Sequence, residues 1–63
     1  MPDPTDPLPE DRRREIFAAL VVAQDEGIPV ARSRAQVADR FGLTREAVAA
    51  IEREGLDNDW PPL

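Results

Sequence analysis

The chain has 63 residues with thirteen acids, eight bases and a net charge of −5, and it contains no Cys and no His. Every base is Arg. That length admits one small domain. Without His or Cys there is no Ser-His-Asp or Cys-His site, no thiolate, no usual zinc site and no disulfide, and without Lys there is no Schiff base or P-loop lysine. Neither an enzyme nor a cofactor or metal site is expected from this inventory.

Acid is concentrated at the two ends, with Asp3, Asp6, Glu10 and Asp11 in residues 1–11 and Asp57 and Asp59 in residues 57–63. The body, 12–56, is close to neutral and reads as a folded module between solvated tails, with a modest and salt-dependent attraction for DNA. An all-Arg basic set suits bidentate pairing with carboxylate or phosphate, although a GC-rich coding bias yields the same composition. Arg12-Arg13-Arg14 ahead of the apolar stretch Ile16 to Ala23 has the outline of a secretory leader. Four acids precede it and Glu15 interrupts it, and the stretch falls well short of the roughly 20 residues that span a bilayer. A cytoplasmic bacterial-type protein with no membrane contact is expected.

In chain order, Pro2, Pro4, Pro7 and Pro9 remove backbone donors and favour extended conformations, so 1–9 reads as a flexible, Pro-rich arm. A first helix is expected from near Pro9 or Glu10 to about Glu26, with proline tolerated in its first turn, Glu10 paired with Arg14, Gly27 as a left-handed stop and Ile28 as the apolar contact beyond it. At 100° per residue Ile16, Phe17, Leu20, Val21, Ala23 and Gln24 share one face, which leaves Ala18 and Val22 outside it. The arginine run reads as a solvated turn paired with nearby acids in preference to a phosphate clamp.

Two further helices fit residues 30–55. Ser33 and Gln36 have the form of a capping box that would start the second helix at Arg34, but Val30, one heptad before Val37, favours the earlier start. Gly42 is expected to end this helix with positive φ, Thr44 to cap the third, and Gly55 to end the third. Val37, Ala38 and Phe41, then Leu43, then Val48 and Ile51 meet the requirements of a helix-turn-helix, in which small Ala38 permits a close crossing and the apolar set turns the other side of the last helix outward. In the tail 57–63, Trp60 and Leu63 are expected to fold back over helices one and three, with docking onto another protein as the alternative. Asp57-Asn58-Asp59 lacks the spaced ligands of a calcium loop and reads as a turn. The expectation is an all-α three-helix bundle over 10–56.

The run Val37-Ala38-Asp39-Arg40-Phe41-Gly42-Leu43-Thr44-Arg45-Glu46-Ala47-Val48, continuing through Ile51-Glu52-Arg53-Glu54-Gly55-Leu56, resembles the region 4 helix-turn-helix of sigma-70-type transcription initiation factors. About a third of the chain, residues 34–56, is covered. In that family the segment reads the promoter −35 element through its second helix and docks on the RNA polymerase flap. The resemblance implies a small DNA-binding protein of transcription in which Arg45, Glu46, Ala49, Ala50 and Arg53 face the groove, with Thr44, Arg34 and Gln36 near the DNA backbone. The chain departs from the family pattern at Ala49 and Ala50, where Arg and Gln are usual, and at Glu52 and Glu54, which replace a basic run. Alanine meets a thymine methyl but offers no hydrogen bond, and a carboxylate repels phosphate.

The competing expectation is a protein-interaction module that contacts RNA polymerase or a sigma factor through Val22, the Ala49/Ala50 face, or Trp60 with Leu63. A homodimer suits both readings, because it doubles weak contacts and shields Val22. No small-molecule ligand is expected.

Overall fold

A computed structural model describes residues 8–62. Three helices account for most of them: α1 (Glu10–Asp25), α2 (Val30–Phe41) and α3 (Arg45–Asp57). Each packs against both others, and no strand occurs among the described residues. The arm expected at 1–9 lies, up to Pro7, outside the described residues, as does Leu63.

The helix starts follow from proline. Pro9 and Pro29 stand immediately before α1 and α2 in extended conformation, with ψ of 151° and 148°, and neither helix has a side-chain cap. Their carbonyls accept the first backbone bonds, from Arg13 N–H at 3.0 Å and Ser33 N–H at 2.8 Å. Proline suits such a position because its φ is preset and it has no N–H to leave unpaired. The early start of α2 at Val30 excludes the capping-box alternative. Ser33 is instead a fully buried residue inside the helix, and its Oγ donates back to the Val30 carbonyl at 2.7 Å. Only α3 has a side-chain cap: Thr44 Oγ1 accepts from the Ala47 amide at 3.1 Å.

One device closes all three helices. After α1, the Gly27 amide bonds to the Gln24 carbonyl and the Ile28 amide to Ala23; after α2, Gly42 bonds to Asp39 and Leu43 to Ala38; after α3, Asp59 bonds to Leu56 and Trp60 to Gly55. These are Schellman closures, in which a left-handed residue reverses the chain and an apolar residue follows it. Gly27 (φ 91°), Gly42 (φ 69°) and Asp59 (φ 52°) hold the left-handed position. Ile28, Leu43 and Trp60 are the apolar followers.

The expected stop at Gly55 is therefore corrected. Gly55 is buried within α3, and the helix runs on to Asp57. A Cβ there would sit 2.6 Å from Phe17 Cγ and closer still to two other ring atoms. Glycine is required at 55 for the close approach of α1 and α3, not for a turn.

The core comprises Ile16, Phe17 and Leu20 from α1, Val37 and Ala38 from α2, Val48 and Ile51 from α3, and Trp60. Leu8, Ala19, Val21, Phe41 and Leu43 pack against its margin. Trp60 is 3% exposed and meets Phe17 edge to face, with ring centroids 6.1 Å apart and planes at 80°. The folded unit thus extends past Leu56 to Trp60. On α1 the helical wheel holds, since its three buried residues lie on the expected face and Val22 is half exposed.

Candidate functional site

The Thr44 cap and the left-handed turn at Gly42 set the direction in which α3 leaves α2. Val48, Ile51 and Gly55, spaced by three and four, turn one side of α3 into the core. The opposite side then faces solvent with Arg45, Glu46, Ala50 and Arg53 exposed and Ala49 half-buried. Exposed Asp57 and half-exposed Leu56 continue it.

Between the N-terminal ends of α2 and α3 lies a shallow depression of about 310 Å³ lined by Ala31, Arg34, Arg45, Glu46 and Ala49. Four of the residues singled out in the sequence meet there. Gln36 does not join them. Two positions from Arg34 on a helix, it points some 200° away and lines a separate recess of about 200 Å³ between α1 and α2 with Val22, Ile28 and Arg40. Thr44 is exposed at the rim of the turn, with its hydroxyl engaged in the cap.

The charges on this side divide into paired and unpaired. Arg34 donates to Glu52 Oε1 from Nε at 2.8 Å and also from its terminal nitrogen. Glu52 Oε2 accepts from Gln24 Nε2 at 2.9 Å, and the same Gln24 amide reaches the Oγ of buried Ser33 at 3.3 Å. All three helices meet in this polar node. Arg45 and Arg53, by contrast, have no carboxylate partner among the described residues, and Arg32, exposed on α2, is in the same position.

Glu52 and Glu54, which look repulsive toward phosphate in the sequence, do not project from the outer face. Glu54 takes a bidentate bond from Arg13 at 2.7 and 3.0 Å, and Arg13 also reaches the Leu8 carbonyl. The hydrogen bonds that Arg13 donates to Glu54 hold its guanidinium above its ordinary pKa, against the lowering effect of burial. Arg12 pairs with Glu15 at 2.9 Å and lies over Phe41, while Arg14 pairs with Glu10 at 3.3 Å and lies over Trp60. The arginine run is thus engaged within the fold.

Of the residues singled out for a protein partner, Val22 stands half exposed, Leu63 lies outside the described residues, and Trp60 belongs to the interior. The indole is consumed by the core because it follows the α3 closure directly, so it offers no surface to a partner. Arg32, and the pairing of Glu52 with Arg34 and Gln24, are additions that the sequence did not single out. No group of His, Cys, Asp or Glu suited to a metal ion occurs among the described residues, and no helix there is long and apolar enough to cross a membrane. No protein-family model, curated protein or solved structure matches the chain.

Proposed function

We propose that this chain is a small DNA-binding protein of the helix-turn-helix kind, acting in transcription in the cytoplasm, with α2 and α3 as the two helices and α3 laid in the major groove. The observation that carries the reading is the outward side of α3, where Arg45 and Arg53 stand exposed with no ion-pair partner among the described residues, eight residues and so just over two turns, about 12 Å, apart. An arginine so placed donates two hydrogen bonds to guanine or grips a phosphate. Ala49 and Ala50 between them allow the helix backbone close to the base edges and meet thymine methyl groups. In this reading Ala31 and Arg34 of α2, which line the depression beside Arg45, are the α2 residues nearest the DNA backbone.

Two arginines are few for a monomer, and a second copy of the chain would double them. The test is a titration of labelled duplex DNA with the chain at low and rising salt. Saturable binding that weakens steeply with salt supports the reading. Absence of any duplex affinity at low salt removes it.

A second reading is supported by the charge balance of the same face. Arg45 and Arg53 are offset by Glu46 and Asp57, and Ala49, Ala50 and Leu56 lie among them. A near-neutral, part-apolar helix face is suited to a protein partner of the transcription machinery, such as RNA polymerase or a sigma factor. Purified polymerase that retains the chain at moderate salt, and releases it when Leu56 and Ala50 become charged, would favour this reading over DNA.

A further inference from the structure

The pairing of Arg34 has a functional meaning separate from its part in the fold. Arg34 shares the depression with Arg45, yet its charge is already answered by Glu52, whose side chain is only 12% exposed. Both carboxylate oxygens of Glu52 are occupied, one by Arg34 and the other by Gln24. A carboxylate withdrawn this far from water is strongly destabilising without its cation, so Arg34 cannot leave it cheaply for another anion. Viewed from beyond roughly 10 Å, the screening distance at ordinary salt, the pair has no net charge.

We infer that Glu52 is a charge mask: by holding Arg34 it lowers the sequence-independent attraction of the α2–α3 face for nucleic-acid phosphate and leaves Arg45 and Arg53 to dominate the contact. The inference rests on the DNA reading above and assigns Glu52 a role in specificity. General phosphate attraction is the part of DNA binding that every sequence shares. A protein with few base contacts gains discrimination when that part is kept small, because specificity is a difference of affinities. Gln24 keeps the mask in place by donating to the second oxygen of Glu52 from the α1 side, and the Oγ of buried Ser33 in α2 accepts from the same amide.

The test compares the wild-type chain, Glu52→Gln, and the double variant Arg34→Gln with Glu52→Gln, each titrated with one mixed-sequence duplex across a salt series. Glutamine keeps the shape of Glu52 and still accepts a hydrogen bond while removing the charge. Glu52→Gln is expected to bind more tightly at low salt, with a log–log salt slope steeper by about 0.9, an extra loss of about 3.5-fold between roughly 50 and 200 mM salt. The double variant is expected to return to the wild-type slope. A wild-type chain that binds duplex, beside a Glu52→Gln chain with an equal or shallower slope, overturns the mask and leaves the DNA reading standing. Failure of both to bind overturns the two together. A measurement on the wild-type chain alone covers the case in which the variant does not fold. On adding duplex, the side-chain Nε–H signals of Arg45 and Arg53 should move while that of Arg34 stays, and an Arg34 shift as large as that of Arg45 overturns the mask.

Discussion

Three consecutive arginines in α1 and two separated arginines in α3 meet opposite fates. Arg12, Arg13 and Arg14 are the densest positive charge in the chain, but each has a carboxylate, and Phe41, the Leu8 carbonyl and Trp60 occupy them further. Arg45 and Arg53 are isolated in the sequence and remain open to solvent. The difference is one of surroundings: the first turn of α1 lies against the ends of α2 and α3, where aromatic faces and Glu54 are waiting, whereas among the described residues no ring and no carboxylate partner meets Arg45 or Arg53. Density of charge along a sequence is therefore a poor guide to charge presented by a surface.

The largest expected effect tests what the α1 arginines rest upon. Trp60→Ala removes the ring under Arg14 and a buried partner of Phe17, and truncation of this kind costs about 3–5 kcal/mol. A domain of this size holds a reserve of about that much, so circular dichroism at 25 °C should show the variant largely unfolded. A cooperative melt within 1 °C of wild type would show that Trp60 is not the cover of α1. Next, Gly55→Ala forces a methyl into Phe17 and should cost about 3 kcal/mol by overpacking, read from urea unfolding. An unchanged midpoint would mean that α1 and α3 are further apart than described.

Asp59→Gly should act in the opposite direction. Relieving a left-handed non-glycine residue is worth about 1 kcal/mol, so the thermal midpoint should rise without any change in duplex binding. The smallest effects sharpen the comparison itself. Arg14→Ala should lower stability by about 0.5–1 kcal/mol, as for an exposed pair with a stacked ring, and leave duplex affinity alone. Arg53→Ala should leave stability within about 0.5 kcal/mol and weaken the duplex complex. If the two variants exchange these phenotypes, the division of labour between α1 and α3 is wrong.

Much of the architecture was legible because punctuation residues have local causes. Pro9, Pro29, Gly27, Gly42 and Thr44 act within a few residues of themselves, and the helix bounds follow them closely. Gly55 misled because glycine has two uses, the left-handed turn and the close approach, and only the position of Phe17, 38 residues away in sequence, distinguishes them. The turn after α3 was legible in Asp57-Asn58-Asp59, but not that Asp59 would take the left-handed position in place of Gly55. At the candidate site the outward stripe of α3 was legible from the spacing of Val48 and Ile51. The roles of Glu52 and Glu54 were not, because their partners Arg34 and Arg13 lie 18 and 41 residues away. A charge reads as exposed until its distant counter-ion is known.

The single indole of the chain, enclosed by Phe17 and Arg14, also makes the molecule its own optical reporter. Emission from that ring should shift to longer wavelength when the helices come apart and stay constant when a ligand settles on the far side of α3. Intrinsic fluorescence therefore separates a variant that has lost its structure from one that has only lost its grip, with no label attached.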